Sequence, residues 1–464
     1  MVTERLDILA AAAGGTLLSG NPGTLVAGLF TDTRAPLRGG LFVALRGERF
    51  DGSRFARTAV EHGAVAVMLD QPDAAQELPD GTGIILVDDT RKGYLAIAAA
   101  HRRKLSAVRW FGVTGSVGKS TTKEMLAHIL QEGAGWHVHK NAGNFNNAVG
   151  LPHTILGVSP AHDAAVLELG ANHPGEIREL AAVARPHVAI ITCAAPSHLD
   201  AFGSVENIAR EKGGILSFQD ARDTSVLPAD SPHLALWRGT TKGKVITFGA
   251  GRDADVCSKQ RRVNHAGCAQ FVVCHGADAV ACVLRVPGLH QASNTLAAIA
   301  AALAAGVPLD RAVEAANTFE GMARRFSVTF VRGFTLIDDA YNANPASFAA
   351  ALETLKALQA ERKYVVAGDM LELGPTAEEY HHELGRQLAD CGLSGLITVG
   401  KLARAAGTTA SRHGLPAALW AHCATPEEAA TALRPRLSAG DAVLVKGSHG
   451  VNLDKCCEML LTTT

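Results

Sequence analysis

One stretch of the chain has the residue order that phosphate binding needs. The apolar run Trp110-Phe-Gly-Val-Thr leads into Gly115-Ser-Val-Gly-Lys-Ser-Thr-Thr, and a helical pattern follows over 121–130. Gly115 and Gly118 let the backbone turn so that the N–H groups of 114–121 face a polyphosphate, and the helix start adds its dipole. Thr114, Ser116, Val117 and Thr121 are therefore read as nucleotide contacts beside the two glycines. Lys119 is placed to reach the β/γ-phosphates, and the Ser120 hydroxyl to ligate Mg²⁺. The strict form of this loop carries a glycine five residues before Gly118, where Val113 stands. The loop is a variant, and ATP or GTP binding is the expectation.

A second apolar run, 164–169, ends in a carboxylate, Glu168. At the carboxyl edge of a parallel sheet beside a phosphate loop, Glu168 would lie where Mg²⁺ takes one or two oxygen ligands. A third run, 188–192, leads to Ser197-His-Leu-Asp and on to a helix carrying Glu211-Lys212. Taken alone, His198 reads as structural or surface and Lys212 as a solvated helix lysine.

These residues need a framework of strands and helices. The 464 residues suggest about three domains, and 47% apolar residues suffice for a sizeable core. Residues 1–105 hold short strand-like segments at 40–44, 65–69 and 83–87. Over 106–325 strands alternate with glycine loops and helices, apart from 243–287, which reads as a β-meander. An Ala-rich helix is expected over 293–306. Residues 326–464 alternate again, with strands at 334–337, 364–367, 396–399 and 442–445. Such alternation indicates parallel sheets flanked by helices, an α/β protein.

Lys and Arg number 44 against 45 Asp and Glu, a net charge of −1, so no global electrostatic attraction to nucleic acid or an anionic membrane exists. No apolar run approaches the ~20 residues of a membrane span, and nothing resembles a signal peptide. The nine cysteines form no CxxC pair. Cys257, Cys268, Cys274 and Cys282, near His265 and His275, fit no zinc pattern and are expected as buried thiols. A soluble, cytoplasmic protein, without nucleic-acid partner or membrane insertion and acting as a monomer, is the expectation.

Together the motifs resemble the Mur ligases, the ATP-dependent ligases that extend the peptide of peptidoglycan precursors, along almost the whole chain. Asn141-Ala-Gly-Asn-Phe-Asn-Asn resembles the family's asparagine-rich loop, which implies acceptor contacts at Asn144, Asn146 and Asn147. Glu168 with Gly175-Glu-Ile resembles its magnesium-binding strand. His198 matches a histidine that helps hold a second Mg²⁺, and Lys212 a lysine that is typically carbamylated. Asn294, within Leu289-His-Gln-Ala-Ser-Asn, matches an adenine contact. Arg325 matches the arginine at the hinge into the last domain, and Asp339 a residue that reaches the ribose.

The resemblance implies three α/β domains: a small N-terminal one (1–105) for a UDP-sugar acceptor, a central P-loop ATPase-like parallel-sheet domain (106–325), and a C-terminal Rossmann-like domain (326–464). Asp32, Thr33, Arg34, Arg46 and Arg49 would serve the acceptor. Tyr341-Asn-Ala-Asn-Pro and Gly368-Asp-Met-Leu-Glu-Leu-Gly are nearest to the member that joins D-alanyl-D-alanine to UDP-N-acetylmuramoyl-tripeptide, with Tyr341, Asn342 and Asn344 at the substrates. ATP, Mg²⁺ and a carbamate on Lys212 are then the implied cofactors, and catalysis would rest on Lys119, Lys212 and His198. A Mur-type ligase for another amino acid or acceptor, or a P-loop ATPase or kinase of another class, are the alternatives. Cys193, Gln291, Ser53 and His449 depart from the family's usual residues.

Overall fold

The computed structural model of the chain describes residues 3–47 and 50–462. Three large sheets follow one another along it, beside two two-stranded ones in the first hundred residues. The first contains β1 (Thr16–Ser19), β2 (Leu29–Phe30), β3 (Leu41–Val43), β4 (Ala66–Leu69) and β5 (Gly83–Leu86), in the order β1-β5-β4-β3-β2. Only the β1–β5 pair is antiparallel. Helix α1 (Thr90–Lys104) leads out of this sheet, its first turn capped by the Asp89 carboxylate.

The second sheet holds β6 (Arg109–Thr114), β7 (Val138–Lys140), β8 (Ala164–Glu168), β9 (Val188–Ile191), β10 (Thr224–Pro228), β11 (Lys244–Gly249), β12 (Val256–Val263), β13 (Cys268–His275) and β14 (Asp278–Pro287). Its order is β7-β8-β6-β9-β10-β11-β12-β13-β14, parallel as far as β12 and antiparallel beyond. The chain leaves β6 toward β7 and β8 on one side, then crosses back to β9 on the other. That reversal makes a topological switch point at the carboxyl ends of β6 and β9, the place where open α/β sheets bind ligands.

Alternate residues of β6 feed opposite cores. Trp110 packs with Leu167 and Ile191, whereas Phe111 and Val113 pack with Val166, Ile190 and the Ala-rich helix α5 (Gln291–Ala304). All these side chains are buried, which explains why the strands read as continuous apolar runs.

The third sheet has β15 (Ser327–Val331), β16 (Phe334–Asp339), β17 (Lys363–Gly368), β18 (Gly395–Val399), β19 (Trp420–Cys423) and β20 (Ala442–Lys446), ordered β15-β16-β20-β17-β18-β19. Only β15 runs antiparallel to its neighbour.

Several local expectations shift. Helix α2 spans Lys119–His128, two residues ahead of the reading, because Gly118 already occupies the left-handed N-cap position at φ 84°. Helix α5 likewise starts two residues early. Strands β7 and β10 went unread: β7 is a three-residue edge strand, and β10 opens with Thr224-Ser225 rather than an apolar run. Residues 243–287 do form the expected meander, in which β12, β13 and β14 pair consecutively and antiparallel, and it extends the central sheet. All nine cysteines are free thiols, eight buried and Cys193 half-buried. Among the described residues no helix is long and apolar enough to cross a membrane.

Candidate active site

The loop between β6 and α2 is shaped by its two glycines. Gly115 sits at φ 146°, and a Cβ there would fall 1.9 Å from the Thr192 hydroxyl; Gly118 sits at φ 84°, where a Cβ would fall 2.2 Å from Asn294 Oδ1. Side chains at either point are thus excluded by conformation and by space. The segment after β9 clasps the loop. Thr192 Oγ1 donates to Val117 O at 2.5 Å, Ser116 Oγ to Ala195 O at 2.9 Å, and Ala195 N to Ser116 Oγ at 3.0 Å. Ser197 Oγ approaches Ser116 Oγ at 3.1 Å, and Cys193 Sγ lies 3.7 Å from Val117 O. Thr114 is tied to both neighbouring strands, donating through Oγ1 to Leu169 O at 2.8 Å and accepting from Thr192 N at 2.9 Å. Thr121 is half-buried on the first turn of α2.

Lys119 folds over the loop and donates to Gly115 O at 2.7 Å. Burial pulls its pKa below the usual lysine value; Glu168 opposes this and Arg325 adds to it. Ser120 Oγ donates to Glu168 Oε2 at 2.6 Å, with both residues buried. Glu168 Oε1 accepts from Asn146 Nδ2 at 2.8 Å, an approach that Gly170 permits, since a Cβ there would stand 2.8 Å from the Asn146 amide. Buried Asn141 receives the Glu168 backbone N–H at 2.6 Å.

This donor set suits Mg²⁺: a hydroxyl and a carboxylate converge beside a loop of backbone N–H groups, and Mg²⁺ wants few protein oxygens next to phosphates. Among the described residues no three His, Cys, Asp or Glu side chains converge as a metal cage, which such a phosphate-assisted site does not need.

Lys212, on α4 (Val205–Gly213), is 2% exposed, and its side chain makes no hydrogen bond or ion pair among the described residues. Its Nζ lies 5.7 Å from the centre of the Phe202 ring. Burial first, then the charge of Lys119, pulls its pKa down to about 7. His198, in the left-handed region at φ 50°, packs edge-on to the same Phe202 ring. Its Nδ1 pairs with Glu372 Oε2 at 2.6 Å, so its partner comes from the third sheet.

Other nucleotide-side candidates meet at the junction of the second and third sheets. Asn294 Nδ2 donates to Gln291 Oε1 at 2.9 Å. Arg325 stacks on Tyr341, 4.0 Å from the ring centre. Asp339 is already engaged: Oδ2 accepts from Lys446 Nζ at 2.6 Å and Oδ1 from Phe326 N at 3.1 Å. The Nδ1 of His290 is buried without a hydrogen bond among the described residues, and burial holds this imidazole down at about 4.

Of the acceptor candidates, Asn144 is exposed, and Asn147 Oδ1 accepts from Gly150 N at 2.9 Å to start α3 (Gly150–Leu156). Asn344 forms a capping box with Ser347 at the start of α6 (Pro345–Ala357), while exposed Asn342 bonds the N–H of Ala343. Asp32 and Arg34 form an exposed pair at 2.6 Å, which pulls the Asp32 carboxyl down to about 2; Thr33 O faces His62 Nδ1 at 3.3 Å. Arg46 pairs with Asp70 at 3.1 Å. Arg49 lies outside the described residues. The groups that sequence reasoning missed are Thr192, Ala195 and Ser197 around the loop, Asn141 behind Glu168, and Glu372 and Lys446 from the third sheet. Only the string Gly368-Asp-Met-Leu-Glu-Leu-Gly had drawn attention to Glu372.

Residues 26–105 match the Mur ligase family catalytic domain, 113–302 the Mur ligase middle domain and 324–449 the Mur ligase glutamate ligase domain. Enzymes named UDP-N-acetylmuramoyl-tripeptide–D-alanyl-D-alanine ligase are similar throughout. That of Bacillus subtilis is 32% identical over 99% of both chains, and that of Escherichia coli 34% identical over 93% of this chain and 92% of its own. The crystal structure of MurF from Acinetobacter baumannii superposes with a TM-score of 0.90 at 30% identity, covering 99% of each chain. MurF ligase from Thermotoga maritima in complex with ADP superposes at 0.82 and 27%, over 93% of this chain and 96% of its own. With the phosphate loop, its carboxylate partner and the three sheets all in one relation, the chain belongs to the Mur ligase family.

Proposed function

We infer that the protein is an ATP-dependent ligase that joins D-alanyl-D-alanine to UDP-N-acetylmuramoyl-tripeptide in cytoplasmic peptidoglycan precursor synthesis. The whole-chain relation to ligases of that name supports the reading. The observation that carries the chemistry is the convergence of Ser120 and Glu168, 2.6 Å apart, beside the Gly115–Gly118 loop at the carboxyl edge of β6 and β8.

In this reading the acceptor's terminal carboxylate forms a bond to the γ-phosphorus while the bridging P–O bond breaks and ADP leaves. The D-alanyl-D-alanine amine then forms the C–N bond, gives up a proton, and phosphate departs with the acyl C–O electron pair. The protein need supply no covalent nucleophile; it positions the reactants and neutralises charge. Backbone N–H groups of 115–120 cradle the phosphates and Lys119 lies along them. Ser120 and Glu168 would hold Mg²⁺, which supplies charge neutralisation at the phosphates. Asn294, Arg325 and Asp339, backed by Lys446, form the adenosine side.

Lys212 is proposed as a carbamate. A buried lysine held near 7 offers a neutral amine at physiological pH, which attacks CO₂ and loses a proton. The resulting oxygen anion, with His198, would serve a second Mg²⁺ and remove the repulsion between two ammonium groups. We assign residues 1–105 to the UDP-sugar end of the acceptor, 106–325 to ATP and 326–464 to the amine substrate and nucleotide contacts. The enzyme acts as a monomer.

The test is phosphate release and product mass with ATP, Mg²⁺, UDP-N-acetylmuramoyl-tripeptide and a panel of amines. Turnover should require acceptor and amine together and favour D-alanyl-D-alanine. A preference for a single amino acid would point to another Mur-type ligase; phosphate release without acceptor would refute the ligase reading.

A further inference from the structure

Among the described residues, Glu372 is the one charged group of the third sheet's loops that reaches a proposed catalytic side chain of the central sheet through an ion pair. It follows β17 in the segment Gly368-Asp-Met-Leu-Glu-Leu-Gly, whose chemistry the proposed function leaves unassigned. Its carboxylate meets His198 Nδ1 at 2.6 Å. Both residues adopt left-handed backbone conformations, φ 50° at His198 and φ 63° at Glu372. Such conformations cost a non-glycine residue free energy and persist where surrounding contacts determine them. Here the two loops press together: Asp200 N lies 3.5 Å from Glu372 O, and a Cβ on Gly374 would stand 3.2 Å from Asp200 Cα. The Glu372 side chain is half-exposed, so it fills no core position.

An imidazole whose Nδ1 faces a carboxylate carries its proton on Nδ1, which leaves the Nε2 lone pair as the coordinating atom. His198 Nε2 makes no hydrogen bond among the described residues. A carboxylate behind a metal-binding imidazole is a known means of fixing tautomer and ring direction and of raising the ligand's basicity. We propose that Glu372 is a positioning residue that holds His198 with Nε2 open to the second cation, so that this ligand is set only while the third sheet is docked. The proposal rests on the assignment of His198 to Mg²⁺ made above. Its consequence is that phosphoryl transfer is tied to domain docking, the arrangement that also shields an acyl phosphate from water.

The experiment compares Glu372→Ala, Glu372→Gln and His198→Ala in the full-length protein. Mn²⁺ binding to the complex with a non-hydrolysable ATP analogue is followed by electron paramagnetic resonance, and the ¹⁵N shifts of the histidine ring by NMR. Glu372→Ala should weaken the weaker Mn²⁺ site by roughly 10–100-fold, raise the Mg²⁺ concentration for half-maximal turnover in step, and release the His198 tautomer. Glu372→Gln, whose amide oxygen still accepts from Nδ1, should fall between Ala and the native protein. Mn²⁺ affinity within twofold of native in Glu372→Ala, while His198→Ala loses it, would overturn the positioning role but leave the metal assignment standing. Unchanged Mn²⁺ binding in His198→Ala would overturn both.

Discussion

Gly118→Ala is expected to destabilise the central sheet, and most of the loss can be traced to two separable causes. The residue holds φ 84°, and a left-handed conformation costs an L-residue about 1–2 kcal/mol. The added methyl would also fall 2.2 Å from Asn294 Oδ1. Asn294 must then swing away and give up its 2.9 Å hydrogen bond to the buried Gln291, a loss of about 1 kcal/mol. Together these give a deficit of about 2–3 kcal/mol. Asn294→Ala alone forfeits the same hydrogen bond, about 1 kcal/mol. The double variant cannot lose it twice, so it should be about 1 kcal/mol more stable than the sum of the single effects. Urea unfolding followed by tryptophan fluorescence suits the measurement, because Trp110, Trp136 and Trp237, three of the four tryptophans, lie in the segment of the central sheet. Additivity within about 0.3 kcal/mol would refute the clash with Asn294 and with it the close approach of α5 to the phosphate loop.

Lys119→Ala should abolish turnover while leaving the unfolding midpoint close to native, since its half-buried ammonium bonds only carbonyls of its own loop; near-normal ligation would show the nucleotide site misplaced. Lys212→Ala should lose most activity and recover part of it with a small added carboxylic acid. Lys212→Arg should remain inactive, because a guanidinium keeps its charge and cannot become an oxygen ligand. With the Lys212 pKa lowered to about 7, its neutral form rises from roughly a tenth at pH 6 to roughly nine-tenths at pH 8. A ¹³C-carbamate resonance fed by labelled bicarbonate should grow over that range, and an intensity flat with pH would count against it. Arg34→Ala and Arg46→Ala should raise the acceptor's KM several-fold with little change for ATP; an unchanged acceptor KM in both would remove the UDP-sugar assignment of that segment.

The placement of Glu168 beside the glycine loop was legible in the chain because it is local. A buried parallel strand must be apolar, the turn after it must be glycine at the positions of positive φ, and the polar group that follows such a strand lies at the sheet's carboxyl edge. Those constraints act within a few residues, so they leave a pattern in the order of residue types. The resemblance points to Asn147 and Asn344 as substrate contacts, and the fold adds a second role it did not indicate: both side chains bond backbone N–H groups at helix starts. Other assignments were decided only in three dimensions. The clasp of Thr192, Ala195 and Ser197 on the loop spans separations of 75 to 81 residues, and Lys446 reaches Asp339 across 107. Glu372 meets His198 from another sheet. Lys212 looks like any solvated helix lysine until the fold buries it against Phe202 and near Lys119. An ionisable side chain takes its protonation and its role from the charges and solvent around it, and those neighbours are set by packing between distant segments, which leaves no periodic trace in the sequence.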